Sequence, residues 1–179
     1  MLSQEQVVLV VVDVQGRLAQ AMHEKEALFR NLQRIIRGGQ ILGLPILWCE
    51  QNPAGLGPTI PEIAGLLAGQ NPTVKMSFSC CGSEPFRQAL AATNRKQVLL
   101  IGIEAHVCIY LTAADLVESS YEVQVVADAV ASRAPENKQI GLARIRAVGA
   151  SVTCTETALF EMLRSADDPK FKVIVKLLK

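Results

Sequence analysis

Apolar residues occur along the chain in short continuous runs separated by segments with helical periodicity. Two runs, Val7 to Val12 and Gln97 to Ile103, are almost entirely apolar, which is typical of strands buried on both faces of a sheet. Between them, leucine and isoleucine recur at helical spacing over residues 24 to 42, ending at Gly43. The pattern therefore predicts strands and helices in alternation.

Weaker signals of the same two kinds complete the pattern. Further strands are predicted at Pro45 to Cys49, Thr73 to Met76, Val123 to Val126 and Ser151 to Cys154. Further helices are predicted after Ser83 as N-cap, near Val107, and over Pro135 to Val148 and Thr155 to Leu163. Six strands interleaved with helices predict a three-layer α/β fold. The expected core is an open, six-stranded parallel sheet of Rossmann-like order 3-2-1-4-5-6, with helices on both faces.

The length of 179 residues fits a single domain over 1–179. A segment rich in glycine and proline, from Gln51 to about Pro61, is long for a simple connection, so we expect it to line a site. Residues 165–179 mix lysines with apolar side chains and are predicted to pack on the chain itself or on a neighbouring subunit. A helix lying on a membrane surface is the alternative.

Charge and cysteine content narrow the classes of partner. With 18 Lys+Arg against 17 Asp+Glu, the net charge is +1, which disfavours nucleic acid and anionic membranes as partners. No apolar run is long enough to cross a membrane, and the N-terminus lacks the pattern of a signal peptide. The odd number of cysteines, 5, disfavours a disulfide framework. We therefore expect a reducing compartment, the cytoplasm.

Three reactive residues lie where strands of such a sheet end, which is where ligands bind. Asp13 follows the first strand, Lys75 ends the third, and Cys108 follows the fourth at a helix start. Ordinary alternatives exist for each: a cap, a solvated lysine, and a small buried hydrophobe. The helix-start position predicts a lowered pKa for the Cys108 thiol, because the helix dipole and a nearby ammonium favour the thiolate.

Together the three residues form a chemically sensible set. Cys108 would act as nucleophile, Asp13 would take the thiol proton, and Lys75 would orient Asp13 and stabilise the thiolate. The backbone N–H of Cys108 would stand where a developing oxyanion needs a donor.

The same residues lie in segments that resemble the isochorismatase-like cysteine hydrolases over nearly the whole chain. The matching segments are Val-Val-Asp-Val-Gln at 11–15, Lys75 after Pro-Thr-Val, Gly-Ile-Glu-Ala-His-Val-Cys-Ile at 102–109, Asp128, and Ser-Arg at 132–133. The segments 50–59, 102–105 and 170–177 resemble most the branch of isochorismatase domain-containing proteins.

The resemblance implies a catalytic triad of Asp13, Lys75 and Cys108, and an oxyanion hole made by the N–H groups of Glu104 and Cys108. It also implies a cis peptide bond between Ile103 and Glu104 and a homo-oligomer, a dimer or larger. The cysteine separates the chain from true isochorismatases, which lack it. The implied reaction is therefore hydrolysis of a C–N bond in a small amide, ureide or carbamoyl compound.

No metal and no cofactor are expected. Nicotinamidases of the family hold a metal through an aspartate and histidines, whereas this chain has only His23 and His106. Nicotinamide is therefore disfavoured as a substrate.

Five further residues are candidates for the substrate pocket. They are Gln15, Trp48, Gln51, Phe78 and His106. Each also has an ordinary alternative, such as a loop polar group, a core aromatic or a turn cap.

Two functions of other classes compete with a hydrolase. One is a catalytically idle oligomer that binds a metabolite or a protein; the intact Asp/Lys/Cys set counts against it. The other is a nucleotide-dependent Rossmann enzyme. Gly55 and Gly57 do not form its fingerprint, because Ile60 stands at the third glycine position.

Overall fold

A computed structural model describes residues 1–179. Six parallel strands form one sheet in the order β3-β2-β1-β4-β5-β6, which confirms the predicted order. The strands are β1 (Val7–Val12), β2 (Ile46–Gln51), β3 (Thr73–Lys75), β4 (Gln97–Ile103), β5 (Glu122–Ala131) and β6 (Ser151–Thr153). The order places the carboxyl ends of β1 and β4 side by side at the centre of the sheet.

Helices cover both faces of this sheet. They are α1 (Gly16–Gln20), α2 (Lys25–Leu42), α3 (Pro53–Leu56), α4 (Pro61–Ala64), α5 (Glu84–Ala92), α6 (Tyr110–Glu118), α7 (Pro135–Ala147), α8 (Thr155–Leu163) and α9 (Phe171–Leu178). A π-helical turn, Ala105–Ile109, precedes α6.

The central strand β1 shows why its sequence is apolar at every position. Val7, Leu9 and Val11 belong to the core on one face, and the intervening valines belong to the core on the other face. All six residues are fully buried. A strand covered on both faces needs no polar position, so the alternation typical of a half-exposed strand is missing.

Several boundaries differ from the sequence-based expectations. Strand β2 continues to Gln51, and β5 extends at both ends to span Glu122–Ala131. Helix α1 was not predicted, and the segment from Gln51 to Pro61 contains the short helix α3. Ser83 precedes α5, but its side chain makes no capping hydrogen bond.

The C-terminal segment packs on its own chain. Ile174 of α9 is fully buried in the core that also contains residues of α2 and α8. The ring of Phe171 lies 6.2 Å from that of Phe160 in α8. None of the helices is both long and apolar enough to span a membrane.

Gly102 permits the close approach of β4 to β1 at the carboxyl edge. Its φ is +121°, and a Cβ at this position would lie 2.0 Å from the carbonyl oxygen of Val12. Only glycine fits such a contact without moving a backbone. The residue therefore brings the segment after β4 next to Asp13, the first residue after β1.

Candidate active site

Asp13 stands at a sharp turn directly after β1. Its backbone is left-handed, with φ of 54°, a conformation that aspartate adopts more readily than most residues. Its N–H donates to the carbonyl of Cys49 at 3.1 Å. The side chain is 2% exposed, and Oδ1 has no hydrogen-bond partner. A buried carboxylate oxygen without a partner is rare, which marks Asp13 as a functional candidate.

Lys75, at the end of β3, uses all three donors of its ammonium group. Nζ donates to Asp13 Oδ2 at 2.7 Å, to the carbonyl of Ser77 at 3.1 Å and to that of Phe78 at 3.0 Å. The side chain is fully buried. Because the lysine has no free donor, its position and that of Asp13 are fixed together.

Cys108 lies in the π-helical turn that connects β4 to α6, and it is 9% exposed. Its thiol and the Asp13 carboxylate are close enough for each to influence the ionisation of the other. The structure therefore brings Asp13, Lys75 and Cys108 into one cluster, although 62 positions separate the first two.

The thiol is not activated in the way its helix-start position predicts. Burial and the negative charge of Asp13 raise the pKa of Cys108 above its ordinary value, against the opposing effect of Lys75. The expectation of a lowered pKa is thus wrong, because desolvation and a carboxylate disfavour the thiolate. Burial also raises the pKa of Asp13, and Lys75 opposes this shift. Asp13 is therefore a stronger base than an ordinary carboxylate.

For Lys75, burial acts to lower the pKa of the ammonium group. The Asp13 carboxylate and the neighbouring Cys80 outweigh this effect, so the pKa is raised. The lysine therefore stays charged.

A cavity of about 220 Å³ opens onto this cluster. Its lining residues come from the ends of five strands, β1 to β5, and the segments that follow them: Asp13, Leu18, Gln51, Leu56, Phe78, Ile103, Glu104, Val107, Cys108 and Arg133. Two of the five predicted pocket residues, Gln51 and Phe78, line this cavity. Leu56 shows that the glycine- and proline-rich segment lines it too, as expected.

Glu104 and Arg133, which both line the cavity, form an ion pair. Glu104 Oε1 accepts from Arg133 Nε at 3.1 Å, and Oε2 accepts from Nη2 at 3.3 Å. The peptide bond between Ile103 and Glu104 is cis, which confirms the prediction. The N–H of Glu104 has no hydrogen-bond partner and remains available to a ligand.

Gln15 and Trp48 are absent from the cavity lining. Gln15 is buried, donating to the carbonyl of Gly57 at 2.8 Å and accepting from the N–H of Gln51 at 2.7 Å. Trp48 Nε1 donates to Thr59 Oγ1 at 2.8 Å. Both side chains hydrogen-bond to the segment between β2 and α4. They therefore support a wall of the cavity without lining it.

His106 also stands outside the lining, where its Nδ1 lies 2.9 Å from Ser132 Oγ. Among the lining residues that sequence reasoning did not select, Leu18 comes from the unpredicted helix α1. Arg133 follows β5 and had a detectable signal, since it belongs to a segment that resembles the family. Asp128, from the same set, lies inside β5, where Oδ1 accepts from Thr155 N at 2.8 Å.

The structure contains no cluster of three or more histidine, cysteine, aspartate or glutamate side chains that could hold a metal ion. The cavity thus offers a thiol, a carboxylate with a free oxygen, a fixed ammonium group and an unpaired N–H. This set is typical of nucleophilic attack on a carbonyl group.

The parallel sheet order, with helices on both faces, and the position of this site define a three-layer α/β protein with the isochorismatase-type fold. The isochorismatase domain matches residues 7–157. The chain therefore belongs to the isochorismatase domain family.

Relatives and solved structures agree with this assignment. The chain is 37% identical to isochorismatase domain-containing protein 2 of Danio rerio over 96% of this chain and 86% of that protein. It is 33% identical to a Caenorhabditis elegans protein described as MAR1 ribonuclease, with a TM-score of 0.92 over 99% and 91% of the two chains. It shares the fold of the Escherichia coli YcaC gene product, described as an octameric hydrolase of unknown specificity, at 20% identity and a TM-score of 0.94 over 99% and 88% of the two chains.

Proposed function

We propose that the protein is a cysteine-dependent hydrolase that cleaves a C–N bond of a small metabolite through a thioester intermediate. The observation that carries the proposal is the free, buried Oδ1 of Asp13 beside the Cys108 thiol. A neutral thiol next to a carboxylate oxygen without a partner, on a group whose pKa is raised by burial, is suited to proton transfer at the moment of attack.

In the first half of the reaction, Asp13 takes the thiol proton while the sulfur of Cys108 bonds to the substrate carbonyl carbon. The N–H groups of Glu104 and Cys108 stabilise the oxyanion. Asp13 then gives the proton to the leaving nitrogen, and the C–N bond breaks. In the second half, water attacks the thioester, releasing the acid and restoring the thiol. Lys75 holds Asp13 Oδ2 throughout, so that Oδ1 remains the exchanging atom.

The cavity favours a small, uncharged substrate. Its volume of about 220 Å³ is below the roughly 300–1,000 Å³ of sites for drug-sized ligands. Its three charged lining residues, Asp13, Glu104 and Arg133, are all in ion pairs. Asp13 pairs with Lys75, which is buried outside the lining, and Glu104 pairs with Arg133. Because the opposite charges within each ion pair cancel, an uncharged amide, ureide or carbamoyl compound with a compact apolar group fits the cavity best.

Acylation with 4-nitrophenyl acetate tests the proposal before the substrate is known. Attack by Cys108 forms an S-acetyl group, breaks the ester C–O bond and releases 4-nitrophenolate. We expect a burst of 4-nitrophenolate, an acetyl group on Cys108 found by peptide mass spectrometry, and slow turnover of that group. The burst should vanish in Cys108→Ala and persist in Cys154→Ala, the matched control with a partly exposed thiol.

The outcomes separate the competing functions. Absence of acetylated Cys108, or an adduct equally strong in Asp13→Asn, would support the idle, ligand-binding alternative. With acylation established, a hydrolysis screen of small amides, ureides and carbamoyl compounds identifies the substrate class. The same screen includes an RNA substrate, because the Caenorhabditis elegans relative is described as a ribonuclease. RNA cleavage that survives Cys108→Ala would contradict the proposed mechanism.

We further propose a homo-oligomer in which a second copy covers the exposed edge next to the cavity. Val74, Met76 and Phe78, on and after edge strand β3, are 53%, 69% and 57% exposed, and Phe78 lines the cavity. Between Gly69 and Gly82 the only charged residue is the buried Lys75. Such an uncharged strip can face its own copy without like-charge repulsion, and the octamer described for YcaC has the same fold.

Light scattering on Met76→Glu tests this assembly. We expect the variant to be smaller than the wild type, while Ile140→Glu, at a residue 55% exposed on α7, keeps the native size. A monomeric wild type would overturn the proposal.

For location, we propose the cytoplasm. The five cysteines form no disulfide, which suits a reducing compartment. Cell fractionation of the tagged full chain tests this proposal.

A further inference from the structure

The carbonyl oxygen and the carboxylate of Glu104 both have hydrogen-bond partners, whereas its backbone N–H has none. Its carbonyl oxygen accepts the N–H of Val107 at 3.1 Å and that of Ile109 at 3.2 Å. Its carboxylate is bound by Arg133 through three hydrogen bonds. The one polar group of Glu104 without a partner is therefore the N–H assigned above to the oxyanion.

The contact with Arg133 ties two neighbouring strand ends together. Arg133 follows β5 by two residues, and β5 pairs with β4 through Ala131 and Ile103. Glu104 Oε1 accepts from both the backbone N–H of Arg133 at 3.0 Å and its Nε at 3.1 Å. The carboxylate is thus anchored to the main chain as well as to the guanidinium group.

We propose that Arg133 is a positioning residue that fixes the N–H of Glu104 in the oxyanion hole. The inference rests on the proposed function, since it needs an oxyanion at Cys108. Arginine suits this role because its planar fork binds both oxygens of a carboxylate, which a lysine cannot do. A donor displaced by a fraction of an ångström loses much of its effect on a transition state.

The competing role is direct contact between Arg133 and the substrate, because Arg133 also lines the cavity. The two roles differ kinetically. Loss of a substrate contact made equally in the ground state raises KM, whereas loss of oxyanion stabilisation lowers kcat.

The experiment compares two reactions of the same thiol in the full chain. Acylation of Cys108 by 4-nitrophenyl acetate passes through an oxyanion, whereas alkylation by iodoacetamide displaces iodide and forms none. In Arg133→Ala we expect acylation to slow by about 10²-fold, with alkylation and the KM for the ester unchanged. Arg133→Lys should restore little of the loss. Arg30→Ala, at an exposed arginine on α2, is the matched control and should behave as wild type.

A second variant covers the case in which Arg133→Ala does not fold. Glu104→Gln keeps the shape and Oε1 as an acceptor, so we expect a smaller loss of acylation and again unchanged alkylation. Equal slowing of both reactions, unchanged acylation, or a raised KM at constant kcat would each overturn the positioning role. If wild type itself does not acylate at Cys108, the proposed function fails and this inference fails with it.

Discussion

Two carboxylate–cation pairs lie at the carboxyl edge of the sheet, and they use their atoms differently. In the pair of Asp13 and Lys75, both side chains are buried, every lysine donor is occupied, and one carboxylate oxygen is free. In the pair of Glu104 and Arg133, both carboxylate oxygens are occupied, and the arginine side chain is 62% exposed. The free oxygen therefore belongs to the pair that is more completely removed from water.

The difference shows how similar pairs can serve different purposes. A buried acceptor without a partner carries a desolvation cost and readily accepts a proton. A carboxylate whose acceptors are all engaged cannot do so, but it can hold its backbone in place. We assign proton transfer to Asp13 and positioning to Glu104 on this ground.

Removing the carboxylate of Asp13, which carries the free acceptor oxygen, should have the largest effect on the rate of Cys108 acylation. In Asp13→Asn the shape is kept but no carboxylate takes the thiol proton, so we expect Cys108 acylation to fall by about 10²–10⁴-fold. Stopped-flow release of 4-nitrophenolate measures it. Asp167→Asn, at an exposed aspartate, is the control. Activity within a few-fold of wild type would remove Asp13 from the chemistry.

Removing the buried cation should be the most destabilising change to either pair. Lys75→Met leaves Asp13 buried without a partner, and we expect the free energy of unfolding to fall by about 3–5 kcal/mol. The pKa of Asp13, already raised by burial, should rise further. A raised folded-state pKa favours the folded state at low pH, so the deficit should shrink on acidification.

Urea titrations at several pH values measure this deficit. Arg133→Met is the matched comparison, and it should cost less because its side chain is largely exposed. Equal losses in both variants would remove the distinction between the pairs.

The thiols near Asp13 should make the protein less stable in alkali. Burial raises the pKa of both Cys80 and Cys108. Above the ordinary thiol pKa, only the unfolded chain releases these protons. Stability should therefore fall by about 1.4 kcal/mol per pH unit for each thiol.

Thermal unfolding between pH 8 and pH 10.5 tests this slope. Cys80→Ala should be less steep than wild type, whereas Cys154→Ala should match it. Identical slopes in all three proteins would contradict the assigned shifts.

The smallest change in the free energy of unfolding is expected from removing the charge of Glu104, which belongs to the more exposed of the two pairs. Glu104→Gln should change the free energy of unfolding by about 1 kcal/mol or less, and added salt should reduce the difference. Chemical denaturation at low and high salt measures it. A loss as large as that of Lys75→Met would show that Glu104 depends on its charge as much as Asp13 does.

Local patterns explain which features were predictable. The apolar run of β1 predicts a doubly covered strand, and Asp13, Lys75 and Cys108 stand where strands end, so parallel order alone brings them to one edge. Gln15 shows the limit of this reasoning. It lies two residues after Asp13, yet its side chain holds the neighbouring loop, because the left-handed turn at Asp13 redirects the chain.

By itself, the sequence determined the alternation of strands and helices, the strand order, and the three residues of the candidate site. The alternation depends on short-range periodicity, and the strand order is the usual one for a Rossmann-like doubly wound sheet. The common edge of the three residues depends on the shared direction of parallel strands. Only the tertiary structure decided that the Cys108 pKa is raised instead of lowered and that Glu104 is bound by Arg133. Desolvation is set by side chains distant in sequence that cover a group, and at Cys108 desolvation together with the Asp13 carboxylate outweighs the opposing charge of Lys75.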